Sequence, residues 1–285
     1  MSRQFKQRLL VGGLGILSLA VSIYYSHTTL FKPIFILLTI GVISLALNEY
    51  YHLARNKGFI PSTISGIGIS VAYSIALVSS FHDPAWQAFP SFVLLISLII
   101  LFLAFFKQQS SALGNLSITL FGVIYLALPI SCALRINYYF PEDSLSDGRL
   151  WLAYVLLVSK ITDIGAYFCG KIFGKAKLAP SISPKKTIEG AFGGLASALI
   201  TSMIFPFFAS NLASFNMTFF QSMWIGIIIS ILAQLGDLSE SLLKRDAGVN
   251  DSSHLPGLGG MLDIVDSVIF TLPLMYLLLK MQIVI

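Results

Sequence analysis

Charged residues and cysteines are both scarce in this chain of 285 residues. Asp, Glu, Lys and Arg together make up 11% of the sequence, and two cysteines occur. So few charges cannot cover the surface of a water-soluble protein of this length. Cys132 and Cys169 both lie in apolar runs and lack CxxC spacing, so we expect neither a disulfide framework nor a zinc site.

Hydrophobic residues are abundant instead, at 56% of the sequence, and most of this apolar surface must face lipid. The apolar runs are continuous rather than alternating, which favours helices over a β-barrel. We therefore predict an all-α, polytopic integral membrane protein. The net charge of +5 is modest and no basic domain is present, which argues against nucleic acid as a partner.

Polar clusters divide the apolar runs into nine predicted membrane-spanning helices. The predicted spans cover residues 9–26, 33–53, 60–80, 88–106, 113–134, 149–170, 188–209, 220–238 and 265–284. The first run follows basic residues, as in a signal peptide. It continues past the weak cleavage-like site at residues 20–22, which favours an uncleaved helix.

Lysine and arginine are distributed unevenly among the connections between these spans. If the N-terminus is cytoplasmic, 13 of the 18 basic residues lie on the cytoplasmic side and Lys160 lies within a span. The four on the outer side are Lys32, Arg135, Arg149 and Lys280. This bias predicts a multi-pass protein of the cell (inner) membrane, with the N-terminus and the lysine-rich loops in the cytoplasm.

Ionisable residues within the spans are concentrated in the second half of the chain. Up to residue 149 the spans hold almost none, with Glu49 near a helix end as an exception. Lys160 and Asp163 lie within one later apolar run, Asp237 closes another, and Asp263 and Asp266 open the last. Charges at membrane depth are costly unless paired or hydrated, so they mark functional cavities. We predict a transmembrane scaffold over residues 1–149 and a catalytic region over residues 150–285.

Lysine-rich turns on the predicted cytoplasmic side favour binding of an anion. One turn follows Asp163, and another places Ser183, Lys185 and Lys186 just before a new helix. Backbone N–H groups at a helix N-terminus, with adjacent Lys and Ser side chains, bind phosphate. Alternatively, these lysines are only a topology signal or contact anionic lipids. Pro184 favours a shaped turn.

Acidic residues form two further groups. On a helix, Asp237 shares a face with Glu240 and Lys244, at spacings of three and seven, and Asp263 shares one with Asp266. Mg²⁺ is commonly held by one or two carboxylates, and we predict Asp237 and Asp263, at facing helix ends, as that pair. The alternative is that Asp263 caps a helix and Asp237 pairs with Lys244.

These residues resemble the phosphatidate cytidylyltransferases, also called CDP-diacylglycerol synthases. The resemblance covers residues 163–194 and 234–267. Its core is Ser-x-x-Lys-Arg, a spacer with an acidic residue, and Pro-Gly-x-Gly-Gly-x-x-Asp-x-x-Asp. This pattern is met by Ser241, Lys244, Arg245, Asp251, Pro256, Gly257, Gly259, Gly260, Asp263 and Asp266. Departures from it are Asn250 in place of Lys, Leu258 in place of His and Ile264 in place of Arg.

The resemblance implies that a phosphatidate oxygen attacks the α-phosphorus of CTP, which gives CDP-diacylglycerol and pyrophosphate for phospholipid biosynthesis. It implies a catalytic Mg²⁺ centre of one or two cations at Asp237 and Asp263, with Asp266 and Asp163 in its surroundings or positioning substrate. The implied phosphate-binding residues are Ser183, Lys185, Lys186, Lys244 and Arg245, of which Lys244 also counts as catalytic. The resemblance also implies a homodimer.

Two other functions compete with this one. A CTP-dependent polyprenol or dolichol kinase would use similar groups on a different lipid. A transporter of phosphorylated anions would favour symmetry-related broken helices in two halves, whereas the ionisable residues here cluster on one side.

Overall fold

The structure is a computed structural model that describes residues 13, 15, 17–81, 83–106, 111–141, 146–210, 215–249 and 260–284. Part of the first predicted span lies outside the described residues, as do Asn250, Asp251, Pro256 and Leu258 of the family-like pattern. The chain divides into two compact units. The first unit comprises Met1–Arg135 and Asp246–Ile264, and the second comprises Ile136–Arg245 and Val265–Ile285.

The first unit is built mainly from four apolar helices. These are α1 (Phe31–Asn56), α2 (Thr63–Ser79), α3 (Phe89–Phe105) and α4 (Ala112–Asn137), the last of which contains a π-helical turn at Val123–Ala127. Helix α1 packs against α2 and α4, and α2 packs against α3. Residues 17–24 are also helical.

Tyr51 of α1 lies at the centre of the first unit and is fully buried. Its ring occupies the space that a Cβ would need at Gly66 of α2 and at Gly122 of α4. Its hydroxyl donates a hydrogen bond of 2.8 Å to the carbonyl oxygen of Thr119. Glycine at these two positions therefore lets three helices close around one tyrosine.

The second unit contains the longest helices and a small hairpin. Its elements are α5 (Gly148–Phe173), β1 (Lys177–Ala179), β2 (Ser183–Thr187), α6 (Ile188–Ala209) and α7 (Phe219–Asp246). The last helical stretch, α8 (Met261–Lys280), begins in the first unit, ends in the second and contains a 3-10 turn at Asp266–Val268.

Helices α5 and α6 pack closely because small residues face each other. A Cβ at Gly165 would overlap the Ser197 side chain, and one at Gly193 would overlap Cys169. Small residues at such a contact let helix backbones approach, which is a common way for helices to associate in membranes. Cys169 thus serves packing, as expected for a cysteine in an apolar run.

Within the part of the chain that the structure describes, six helices are long and apolar enough to cross a membrane. They are α1, α4, α5, α6, α7 and α8. Helices α2 and α3 are also apolar but have 17 residues each. The prediction of a mainly helical, multi-pass membrane protein is confirmed, whereas the count of nine spans is not. Among the described residues, the β1–β2 hairpin is the exception to the all-α prediction.

Candidate active site in the second unit

Three carboxylates meet in the second unit. Asp237 and Glu240 lie one turn apart on α7, and Asp266 lies at the start of the 3-10 turn of α8. One oxygen from each side chain lies within 4.8 Å of the others. Glu240 and Asp266 are buried, whereas Asp237 is partly exposed. We call these three side chains the carboxylate cluster.

Gly236 brings the two helices of the cluster together. A Cβ at this position would overlap the backbone carbonyl oxygen of Asp266. Because a backbone atom cannot move aside as a flexible side chain does, only glycine permits this approach. The Asp266 side chain is oriented by its own turn, since its Oδ1 accepts a hydrogen bond of 2.6 Å from the Ser267 N–H.

Two lysines pair with members of the cluster. Lys244 Nζ lies 2.6 Å from Glu240 Oε2, one helical turn along α7. Lys186 Nζ lies 2.8 Å from Asp237 Oδ2 and reaches it from the hairpin. Buried carboxylates are costly unless opposite charges compensate them. The lysines therefore make a group of closely spaced acids tolerable at this depth.

The hairpin orients Lys186 by the alternation of a β-strand. Lys186 points towards Asp237, whereas its neighbour Lys185 is exposed. The strand then enters α6 through Thr187, whose hydroxyl oxygen accepts a hydrogen bond from Gly190 N–H at 3.1 Å. At the other end of the hairpin, Arg245 Nε donates a hydrogen bond of 3.2 Å to the carbonyl oxygen of Ile182.

Glu189 attaches the start of α6 to the beginning of the hairpin. Its carboxylate accepts hydrogen bonds from the N–H groups of Lys175 and Ala176, at 3.0 and 3.2 Å. The backbone N–H of Ile188 donates to the Ala176 carbonyl oxygen at 2.9 Å. The lysine-rich segment is thus a shaped turn, as Pro184 suggested, rather than a loose tether.

Lys160 brings a third ammonium group into the second unit. Its Nζ lies 2.8 Å from the Ser267 hydroxyl and 3.7 Å from Asp163 Oδ2 on the same helix. Ser267 directly follows Asp266, so Lys160 and Asp163 lie beside the carboxylate cluster. The sequence marked Lys160 as a charge within a span but did not reveal its partner.

The structure brings several predicted site residues together. Asp237, Asp266, Lys186 and Lys244 belong to the cluster and its ion pairs, and Asp163 lies beside them. The remaining predicted phosphate-binding residues lie on or against the hairpin, namely Ser183, Lys185 and Arg245. Their roles towards substrates stay predictions.

Asp263 lies in the first unit, on the opening turn of α8. Its Oδ2 accepts a hydrogen bond of 3.0 Å from the Gly260 N–H. This is a helix-capping contact, as the alternative interpretation predicted for Asp263. Asp237, however, pairs with Lys186 rather than with Lys244 as that interpretation expected. The pairing of Asp237 with Asp263 at a metal ion stays a prediction, as does the second cation.

Glu240 was missed as a site residue, although the sequence contained a signal for it. Its spacing of three from Asp237 placed it on the same helix face. To recognise Glu240 as a site residue, one must know that Asp266 approaches that helix face. This approach is a contact between helices that are distant in sequence, so no local pattern reveals it. Asp237 also proved to lie within a helix rather than at its end, because α7 continues to Asp246.

Comparison with known proteins adds independent evidence. The sequence matches the cytidylyltransferase family over residues 6–282. The phosphatidate cytidylyltransferase of Chlamydia pneumoniae is 34% identical over 288 residues, which cover 96% of this chain and 91% of the relative. That of Staphylococcus aureus is 36% identical over 239 residues, covering 82% and 85%. That of Staphylococcus haemolyticus is 46% identical over 145 residues, covering 50% and 54%.

Proposed function

The chain belongs to the cytidylyltransferase family, and from this premise we propose that it transfers CMP from CTP to phosphatidate. The products are CDP-diacylglycerol and pyrophosphate. The observation that carries the proposal is a lysine-compensated carboxylate cluster within the helices of a multi-pass membrane protein. The relatives' names favour this reaction over a polyprenol kinase or an anion transporter.

We further propose that the cluster holds Mg²⁺. Asp237, Glu240 and Asp266 offer three carboxylate oxygens within 4.8 Å of one another, and carboxylate oxygen is the ligand type that Mg²⁺ prefers. A bound Mg²⁺ would supply neutralisation of the negative charge on the triphosphate. Asp263 as a further ligand, and a second cation, remain proposals from the sequence resemblance.

The chain's own cations suit the task of binding two phosphorylated substrates. Lys186 and Lys244 already lie within ion-pair distance of the cluster, and Arg245 lies against the hairpin. In the reaction, an oxygen of phosphatidate forms a bond to the α-phosphorus of CTP while the bond from that phosphorus to pyrophosphate breaks. The attacking oxygen is already anionic, so the residues need mainly to bind, orient and neutralise.

We propose that the enzyme lies in the inner membrane with the hairpin facing the cytoplasm. The bias of lysine and arginine towards one set of connections supports this orientation. CTP would then enter from the cytoplasm and phosphatidate from the bilayer. A homodimer, implied by the resemblance, is testable by light scattering of the detergent-purified protein with the detergent contribution subtracted.

The test is transfer of labelled CMP from CTP by the purified protein in liposomes, with and without Mg²⁺. Phosphatidate and a polyprenol are supplied as competing acceptors. The matched control is Asp237→Asn, purified identically, because residual activity in that sample measures contamination by a host enzyme. We expect Mg²⁺-dependent CDP-diacylglycerol from the wild type alone. Product on the polyprenol only, or equal product from the control, would contradict the proposal.

A further inference from the structure

Glu49 is a buried carboxylate in the first unit whose contacts lie far away in sequence. It sits on α1 and is 6% exposed. Its Oε1 accepts a hydrogen bond of 2.9 Å from the Met261 N–H, and its Oε2 accepts one of 2.8 Å from the Leu262 N–H. Both carboxylate oxygens therefore bind the opening turn of α8.

The opening turn of α8 needs such an acceptor. The first N–H groups of a helix have no partners within it, and a Ser, Thr, Asp or Asn side chain at the preceding position usually accepts one of them. Here the preceding residue is Gly260, which has no side chain. Glu49 takes over this role from another helix, and its negative charge suits the positive end of the helix dipole.

Asp263 belongs to the same turn. Its Oδ2 accepts the Gly260 N–H at 3.0 Å, so Asp263 and Glu49 together bind three successive N–H groups of the turn. All of these residues lie in the first unit. Because Asp263 belongs to a turn that Glu49 holds, a change at Glu49 is transmitted to Asp263 through the backbone of that turn.

We propose that Glu49 is a positioning residue for nucleotidyl transfer. It fixes the turn that presents Asp263, the carboxylate predicted to bind metal, and this role rests on the function proposed above. Glu49 thus has an assigned role beyond anchoring the chain in the membrane. Glu49 acts on the backbone of Met261 and Leu262 and touches no substrate.

The test compares Glu49→Ala and Glu49→Gln with Leu47→Ala. Leu47 is fully buried on the same helix, two residues away and therefore on a different face. Leu47→Ala thus destabilises the same helix without removing the acceptor. Three quantities are measured for each protein: kcat and KM for CTP, the half-saturating Mg²⁺ concentration, and the rise in Tm on adding MgCl₂ without substrates.

We expect kcat to fall about 100-fold in Glu49→Ala and about 10-fold in Glu49→Gln, the range seen when groups that orient metal ligands are removed. The glutamine keeps one acceptor oxygen and the side-chain volume, so it serves if the alanine variant fails to fold. We expect KM for CTP to change little, the half-saturating Mg²⁺ concentration to rise about 10-fold, and the Mg²⁺-dependent rise in Tm to shrink. Leu47→Ala should lower Tm yet keep the wild-type Mg²⁺ response.

Two results would overturn the inference. One is a Glu49→Gln protein with wild-type kcat and Mg²⁺ response, and the other is a Leu47→Ala protein that shows the same kinetic changes at equal loss of Tm. An inactive wild-type protein would instead contradict the proposed function. In that case the Mg²⁺-dependent rise in Tm still decides the role of Glu49, since it requires no turnover.

Discussion

The second unit makes long-range polar contacts through charged side chains, whereas several buried hydroxyls of the first unit bond within their own helix. In the first unit, the hydroxyls of Thr39, Ser70 and Ser74 each donate to the carbonyl oxygen four residues earlier on the same helix. In the second unit, Lys186 pairs with Asp237 and Lys160 bonds Ser267, which joins segments far apart in sequence. A hydrogen bond within one helix forms regardless of how that helix packs against others. A long-range bond, in contrast, requires a particular arrangement of helices.

This difference indicates where a substitution should affect chemistry and where it should affect only stability. A hydroxyl bonded to its own helix can be lost without moving another helix. A charge in one of the ion pairs of the carboxylate cluster cannot be lost without leaving its partner uncompensated, which is costly at low dielectric. Glu49 departs from the local pattern in the first unit, as does the Tyr51 hydroxyl, because its carboxylate accepts hydrogen bonds from a turn far along the chain.

The largest effect should follow from removing a carboxylate of the second unit. Asp237→Ala is expected to lower kcat by about 10³-fold or more, equivalent to roughly 4 kcal/mol, because it removes a proposed Mg²⁺ ligand and the partner of Lys186. The assay is CMP transfer at saturating CTP over a range of Mg²⁺ concentrations. Retention of near wild-type turnover at limiting Mg²⁺ would remove Asp237 from the metal site.

A matched pair of glycines tests the helix contact at the cluster. Gly236→Ala should lower kcat by about 100-fold, since its Cβ would push the Asp266 backbone away and a misplacement of about 1 Å has that effect. Gly41→Ala on α1 meets nothing within 4 Å. It should leave kcat unchanged and raise Tm, because alanine favours a helix over glycine by about 1 kcal/mol. Equal effects on kcat would remove the distinction between the units.

Neighbouring lysines of the hairpin sharpen the comparison within the second unit. Lys186→Ala should raise KM for CTP by about 10- to 30-fold, in line with roughly 1.5–2 kcal/mol for a charged hydrogen bond. Lys185→Ala should change it less than about threefold, because the side chain is exposed and exposed charge pairs contribute little. Steady-state kinetics with varied CTP measures both. If Lys185→Ala raised KM for CTP more than Lys186→Ala, the triphosphate would instead bind on the exposed face of β2.

The smallest catalytic effect is expected from Tyr51 in the first unit. Tyr51→Phe removes the hydrogen bond to the Thr119 carbonyl oxygen and should lower the free energy of unfolding by about 1 kcal/mol. The kcat of the folded protein should stay unchanged, because the tyrosine holds α1, α2 and α4 together and is not a member of the carboxylate cluster or its ion pairs. Thermal unfolding and CMP transfer, measured on one preparation, separate the two quantities.

Much of this fold was predictable because long apolar runs carry a strong signal. The runs at 149–170 and 188–209 correspond closely to α5 and α6. The run at 220–238 ended too early, since α7 continues through its charged residues to Asp246. There, the Glu240–Lys244 pair one turn apart supports a helix that hydropathy alone does not mark.

The site residues were predictable from the sequence where they follow the spacing of a single helix. They were not predictable where two segments distant in sequence come into contact. Helical spacing placed Asp237, Glu240 and Lys244 on one face. No local pattern shows that Lys186 reaches Asp237, that Gly236 admits the Asp266 backbone, or that Glu49 binds a turn more than 200 residues later. The hairpin was also missed, because a strand of Ser-Pro-Lys-Lys-Thr has little β-propensity.

The length of α7 bears on the membrane depth of the proposed reaction. Its 28 residues extend about 42 Å, whereas the hydrocarbon layer of a bilayer is roughly 30 Å thick. If the layer begins at Phe219, about 20 residues cross it and end near Leu238, which places Asp237 and Glu240 at its boundary. A lipid could then react there without leaving its leaflet. The rate should therefore follow the mole fraction of phosphatidate in the membrane surface rather than its concentration per volume.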